Sequence, residues 1–73
     1  MNKETGREIL NRLANTESSS ESDSGFMQMV LHKLGFNNAI VTSGIVYIDG
    51  KGTLENPPMD IHSYAKALII GVQ

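Results

Sequence analysis

Two short apolar segments near the middle of the chain constrain its fold more than any other feature. The first reads AIVT (residues 39–42), the second reads IVYI (residues 45–48), and only Ser43 and Gly44 separate them. β-Branched and aromatic residues favour strands, and a two-residue connection that contains glycine is typical of a β-hairpin. The sequence therefore predicts an antiparallel hairpin, with a bulge inside one long strand as the alternative at Ser43-Gly44.

The register of this hairpin decides which side chains share a face, because directly paired residues point the same way. The predicted pairs are Thr42 with Ile45, Val41 with Val46, Ile40 with Tyr47, and Ala39 with Ile48. One face is then wholly apolar and is expected to pack on helices. The other, called the second face below, carries Ile40, Thr42, Ile45, Tyr47 and, from a third strand, Leu54. A solvated face should be more polar, so we predict that the N-terminal helix covers it or that it binds a partner or another copy.

Two helices are predicted before the hairpin. Thr5-Gly6-Arg7-Glu8 has the form of a capping box, which starts a helix of about Gly6 to Ala14. The apolar residues of this helix form one narrow stripe, which suits a peripheral helix, residues 1–15, that lies on a surface. The stripe consists of Ile9, Leu10, Leu13 and Ala14.

A serine-rich acidic segment, TESSSESDSG (residues 16–25), follows the first helix. It contains no apolar and no basic residue, so nothing in it offsets the entropy of ordering the chain, and we expect a linker. From Phe26 the apolar spacing predicts a second helix, capped by Ser22, Asp23 and Ser24. This helix is expected to end at Gly35, in the left-handed conformation, with Phe36 folded back on Leu31.

The C-terminal third of the chain completes the predicted fold. Asp49-Gly50 predicts a second tight turn leading into a third strand at Thr53-Leu54, and Asn56-Pro57-Pro58 breaks that strand. Asp60 is expected to cap a third helix, whose buried stripe is Ile61, Ala65, Leu68, Ile69 and Val72. The prediction is a single small α+β domain, residues 1–73, of order α-α-β-β-β-α. A three-stranded antiparallel meander packs on two helices within a compact core of residues 26–73.

The composition of the chain argues against several kinds of functional site. The 73 residues include no cysteine, so disulfides, thiolate metal sites and cysteine nucleophiles are excluded together. Six Lys/Arg against eight Asp/Glu give a net charge of -2, which disfavours binding to nucleic-acid phosphates. No apolar run reaches the roughly 18 residues that span a bilayer, and the N-terminus lacks the apolar core of a secretion signal. We expect a protein of the cytoplasm, or of a viral or other assembly.

Residues that could carry chemistry do not form a recognisable site. His32 and His62 lie on different predicted helices, and neither has a second possible metal ligand one helical turn away. Asp60, His62 and Ser63 are too close in sequence to face each other on a helix. The DGKG segment (residues 49–52) lacks the following helix that a phosphate loop needs. We therefore expect no catalytic, metal or cofactor residues, and no enzyme activity.

From the second helix onward, the order α-β-β-β-α resembles that of double-stranded RNA-binding domains and of small toxins of the HicA type. The segment LHKLGF (residues 31–36) resembles the first helix of those toxins. The strand region VTSGIVYI (residues 41–48) lacks the Gly-Ser-His that carries catalysis in that toxin family, and the basic residues that such domains use on RNA are missing. The resemblance therefore concerns the order of elements and gives no residue a role.

These observations favour a function in protein binding. We expect a small regulatory or inhibitory accessory protein, of the kind encoded by phages or mobile elements, that docks on a larger protein through the second face. The alternative is a structural subunit that uses this face in a homodimer or larger assembly. A nucleic-acid-binding module ranks third.

Overall fold

The computed structural model describes residues 5–72 of the chain and confirms a small compact α+β domain of order α-α-β-β-β-α. The elements are α1 (Gly6–Ala14), α2 (Glu21–Lys33), β1 (Ile40–Thr42), β2 (Ile45–Tyr47), β3 (Met59–Asp60) and α3 (Ile61–Val72). The side chain of Val72, predicted to be buried, lies outside the described residues.

The strands form an antiparallel sheet of order β1-β2-β3, and the predicted hairpin register is correct. Ile40 pairs with Tyr47, and Thr42 pairs with Ile45. Both turn residues have positive φ, 52° at Ser43 and 75° at Gly44, as a type I′ turn requires. The connection is therefore a true hairpin turn, and the alternative of a bulge is excluded.

The third strand differs from the prediction, because it is Met59–Asp60 and not Thr53-Leu54. After β2 the chain turns at once, with the Gly50 N–H donating to the Tyr47 carbonyl at 3.0 Å. Within the following loop, Asp49 accepts hydrogen bonds from Lys51, Gly52 and Thr53, and Thr53 accepts one from Asn56. Pairing resumes only beyond the two prolines, where Met59 lies opposite Val46.

Helix α1 has the predicted bounds and the predicted capping box between Thr5 and Glu8. It packs chiefly against α3, and Leu13 at the centre of its stripe is fully buried. The His62 Nδ1–H donates to the Leu13 carbonyl at 2.8 Å, which adds a polar tie between the two helices. Helix α1 is therefore docked, and it does not provide the predicted cover for the second face.

Helix α2 begins five residues earlier than predicted, so its first residues shorten the predicted linker of residues 16–25. Its N-cap is Ser20, whose hydroxyl accepts the Asp23 N–H, while the Asp23 carboxylate accepts the Ser20 N–H. Asp23 is buried and also accepts two hydrogen bonds from the Arg12 guanidinium, at 2.6 and 3.1 Å. The ion pair with α1 allows the Asp23 carboxylate to be buried, which the composition of the segment does not predict.

The C-terminal end of α2 and the N-terminal end of α3 follow the prediction. Gly35 has a φ of 103°, and the Phe36 N–H donates to the Leu31 carbonyl, so a Schellman motif ends α2. Asp60 caps α3, because its Oδ1 accepts the N–H groups of His62 and Ser63. The buried apolar core that joins these elements consists of Leu13, Ala14, Met27, Leu31, Ala39, Val41, Val46, Ile61 and Ala65.

Candidate functional site

Four of the five predicted interface residues lie together on the second face of the sheet. The register places Ile40 beside Tyr47 and Thr42 beside Ile45, on the side away from buried Val41. Ile40 is 45% exposed, Thr42 is exposed, and Ile45 and Tyr47 are half-buried. Helices α2 and α3 pack on the opposite side of the sheet. The second face is therefore an apolar surface that the helices leave open.

The loop after β2 bounds one end of this face. A Cβ added at Gly52 would lie 3.3 Å from Tyr47 Cδ1 and 2.8 Å from Pro58 Cγ, and one added at Gly50 would lie 3.7 Å from Ile40 Cδ1. The loop backbone thus lies directly against the paired side chains of Ile40 and Tyr47. This contact accounts for the partial burial of Tyr47 and leaves the turn end of the face open.

The carboxylate of Asp49 organises this loop. Its Oδ1 accepts the N–H groups of Lys51 and Gly52 at 2.9 and 2.8 Å, and its Oδ2 accepts the Thr53 hydroxyl at 2.7 Å. The Thr53 hydroxyl bond and the two backbone bonds favour the charged form and lower the pKa of Asp49 to about 2. The DGKG segment is therefore a structural loop, in which the Asp49 carboxylate accepts hydrogen bonds from backbone N–H groups of the same loop.

Leu54, the fifth predicted residue, is not on a strand. It follows Thr53, whose Oγ1 accepts the Asn56 N–H at 3.1 Å, and its side chain is fully exposed. The hydrogen bonds of the loop hold the backbone on both sides of Leu54. Leu54 is thus a fully exposed apolar side chain on an ordered loop and is not part of the sheet.

Both edges of the sheet are closed to further strands. On β1, the Val41 N–H donates to Gln28 Oε1 at 3.0 Å, and His32 Nε2–H donates to the Ala39 carbonyl at 2.9 Å. On the other edge, β3 has only two residues and directly follows Pro57-Pro58. Short strands, prolines and capped edge groups oppose strand addition.

The sequence analysis missed the role of Gln28 and His32 at this edge. The signal available was their spacing of four residues on the otherwise apolar part of α2, which places them on one side of the helix. Their partners are backbone groups of β1, so only the packing of α2 on that strand identifies their function.

Acidic residues line two clefts, one between the start of α2 and the hairpin turn and one between the ends of α1 and α3. Glu21 lines a cleft of about 460 Å³ together with Thr42 and the hairpin turn. Asp60 lies opposite Ile45 in the sheet, and it shares a second cleft with Glu17 and Lys66. Among residues 5–72, none of the three carboxylates pairs with a cation within 4 Å.

A second apolar surface lies on the helical side of the sheet. It is a cleft of about 310 Å³ where the end of α2, the sheet and α3 meet, and its apolar lining is Phe36, Val46, Ile48, Pro57, Met59 and Tyr64. Phe36 and Met59 are 43% and 40% exposed, and burial raises the pKa of the Tyr64 hydroxyl.

The groups considered for chemistry form bonds with the backbone instead of with each other. Asp60 accepts two N–H groups at the start of α3, and the His62 ring donates to the end of α1. His32 is likewise used at the edge of β1. Within the described part of the chain, no cluster of three metal-binding side chains occurs.

Comparison with known protein families, with characterised proteins and with solved structures found no match. The order α2-β1-β2-β3-α3 does retain the α-β-β-β-α sequence of elements discussed above. In residues 5–72, no helix has the length and apolar character needed to cross a membrane. A functional conclusion must therefore come from the surfaces of this chain alone.

Proposed function

We propose that this chain is a small, non-enzymatic, regulatory or inhibitory accessory protein of the cytoplasm that docks on a larger protein. The docking surface is the second face. One observation carries the proposal: four side chains of β1 and β2 point away from α2 and α3, and of these Ile40 and Thr42 are exposed while Ile45 and Tyr47 are half-buried. Exposure of contiguous apolar surface to water is unfavourable for a small domain, and such a surface commonly marks an interaction site.

The closed sheet edges favour one mode of binding over another. Strand addition needs free N–H and C=O groups on an edge strand. Gln28 and His32 occupy such groups on β1, and prolines precede the short β3. Recognition by side chains of the face therefore fits this chain better than pairing with a partner strand.

Leu54 supplies a further anchor. A leucine side chain that is exposed in the free protein and buried in a complex contributes about 1.5–3 kcal/mol to the free energy of binding. Because the loop is already ordered, its backbone loses little entropy on binding. A few such anchors carry most of the energy of an interface. Ile40, Tyr47 and Leu54 are the residues we expect to act in this way.

The test uses two variants with the same chemical change at different sites. Ile40→Lys places a charge on the second face, and Ile70→Lys places it on the outer side of α3, where Ile70 is 74% exposed. Tagged wild-type chain and both variants are used to capture proteins from a lysate of the native host, after circular dichroism confirms folding.

A protein that is held by wild-type and by Ile70→Lys, but lost by Ile40→Lys, is the expected result. Direct titration of that purified protein must then reproduce the order of affinities. Equal capture by all three chains would overturn the proposal. Sedimentation at several concentrations completes the test, because assembly of the wild-type chain with itself would indicate a homo-oligomer instead.

A further inference from the structure

We propose that the cleft on the helical side of the sheet binds a small organic ammonium ion that carries an apolar body. The apolar body occupies the space between the end of α2, the sheet and α3, and the ammonium group is oriented toward Glu55 and Asp49. The site lies on the opposite side of the sheet from the second face, so the inference goes beyond the proposed function and does not depend on it.

The apolar cleft has the size and the lining of a small-molecule pocket. Its volume of about 310 Å³ lies at the lower end of the roughly 300–1,000 Å³ that such pockets have. Phe36 and Tyr64 contribute aromatic rings, and Met59 contributes a flexible thioether that adapts to the shape of a ligand. The neighbouring Leu54 does not fill the cleft, because its side chain is fully exposed. The apolar lining is therefore available to a small ligand.

A polar cleft of about 280 Å³ adjoins the apolar one. Phe36, Ile48 and Asn56 line both clefts, so the two meet along these side chains and form one groove. The remaining lining of the polar cleft is Gly35, Asn37, Asn38 and Asp49. Amide and carboxylate oxygens accept hydrogen bonds, and an ammonium group supplies up to three N–H donors. The groove therefore combines an apolar part with a part that presents hydrogen-bond acceptors.

Both charged side chains that line this groove are acidic, namely Glu55 in the apolar cleft and Asp49 in the polar one. Hydrogen bonds from Thr53 and from the backbone of its own loop lower the pKa of Asp49 to about 2, so it is a carboxylate at neutral pH. Lys33 and Lys51 belong to adjoining segments but line neither cleft. Two negative charges beside an apolar cleft favour a cationic ligand over an anionic one.

The aromatic rings of the cleft indicate the same class of ligand. The face of a phenylalanine or tyrosine ring attracts a cation that lies within about 6 Å of its centre, and aromatic side chains recognise organic ammonium ions in this way. Burial raises the pKa of Tyr64, so its ring is a neutral phenol at neutral pH and adds no negative charge of its own. The apolar lining, the rings and the two carboxylates thus suit one ligand with an apolar body and a cationic end.

The first experiment compares three probes that share a phenylethyl body and differ in the end group. Phenylethylamine is a cation at neutral pH, phenylethanol is its neutral counterpart, and phenylpropionate is an anion. Titration of the full chain followed by NMR should show shifts at Ile48, Met59 and Tyr64. The amine should bind at least about fivefold more tightly than the alcohol, which is the effect of one charge pair in a solvated cleft, and phenylpropionate should bind most weakly.

Three results of these titrations would overturn the inference. They are equal binding of the amine and the alcohol, shifts that leave the cleft residues unchanged, and no detectable binding of the amine. The free chain is also recorded at several concentrations. Shifts of Met59 and Tyr64 on dilution without a probe would show that a second copy of the chain occupies the cleft, which would likewise overturn the inference.

The second experiment separates the charge from the apolar contact, after circular dichroism confirms that each variant is folded. Within residues 5–72, the Glu55 carboxylate has no ion pair and no hydrogen bond, so Glu55→Gln removes its charge without breaking a contact. This variant should weaken binding of phenylethylamine about threefold and leave binding of phenylethanol unchanged. Met59→Thr keeps a residue that favours strands and should weaken both probes by a similar factor.

Two control variants complete the test. Glu17→Gln makes the same chemical change as Glu55→Gln in a different cleft, and it should leave amine binding unchanged. Ile40→Lys alters the second face and should also leave amine binding unchanged. An effect of Glu17→Gln as large as that of Glu55→Gln, or a loss of amine binding in Ile40→Lys, would place the amine elsewhere and overturn the assignment.

Discussion

Replacing Leu13 by alanine tests whether α1 is docked on α3. Leu13 is the fully buried centre of the α1 stripe, and it belongs to the same core as Ile61 and Ala65 of α3. If α1 were loosely attached, as its narrow stripe suggests, this leucine would contribute little to stability. The structure predicts the opposite, because every atom of the side chain is out of contact with water.

The size of the effect follows from burial. Removing a fully buried leucine side chain down to alanine costs about 2–5 kcal/mol, and we expect about 3 kcal/mol here. A domain of 73 residues has a free energy of unfolding of roughly 4–11 kcal/mol. The variant should therefore lose a large part of its stability, and its Tm should fall by roughly 10–20 °C.

Urea unfolding followed by circular dichroism measures the loss, and Leu54→Ala is the matched control. Leu54 is fully exposed, so the same chemical change there should alter the free energy of unfolding by less than about 0.5 kcal/mol. If Leu13→Ala costs less than about 1 kcal/mol, α1 is not docked as described. The second face would then be available to α1, and its proposed role would lose its basis.

Two further predictions concern the ion pair and the glycines. Hydrogen bonds from Arg12 are the main reason that the pKa of Asp23 falls from 3.8 to about 2, so the pair stabilises the fold fully above about pH 5 and loses this contribution as the pH falls toward 2. Arg12→Met should therefore cost roughly 1–2 kcal/mol at neutral pH in urea unfolding, and a cost that persists unchanged at pH 2 would refute this assignment. Gly50→Ala should destabilise by roughly 1–3 kcal/mol, because φ is 79° and the new Cβ would lie 2.6 Å from the Asn38 carbonyl oxygen. Gly25 lies within α2, and a Cβ added there would have no atom within 4 Å, so Gly25→Ala should instead raise Tm slightly. A higher Tm for Gly50→Ala than for Gly25→Ala would contradict the structure.

The parts of the fold that the sequence predicts correctly depend on local signals. The Thr5 and Glu8 capping box, the Gly35 stop and the Asp60 cap each involve groups within a few residues of one another. The hairpin register likewise follows from two turn residues and the alternation of side chains. Such interactions can be recognised without knowing what lies elsewhere in the chain.

One error arises from a partner on another helix, and the other from hydrogen bonds within a loop. Asp23 becomes part of α2 because Arg12 of another helix neutralises it. Thr53 and Leu54 do not form a strand with β2. The Asp49 carboxylate instead accepts hydrogen bonds from the Gly52 N–H and the Thr53 hydroxyl, which hold this segment in a loop. In both cases the hydrogen bonds of a carboxylate determine the local structure.

Part of the candidate site could likewise be predicted from the sequence, and part could not. Ile40, Thr42, Ile45 and Tyr47 share a face because strand periodicity and the turn fix their directions. The position of Leu54 depended on the wrong third strand.

The most direct test of the account measures whether the second face is open. Methyl relaxation by a soluble gadolinium chelate, recorded on the whole chain at a low and a high protein concentration, reports the exposure of each side chain. The account predicts strong relaxation for the methyl groups of Ile40 and Thr42, and protection for those of Val41 and Val46, at both concentrations. If Ile40 and Thr42 are as protected as the two valines, a helix or a second copy covers the face, and the proposed docking surface does not exist.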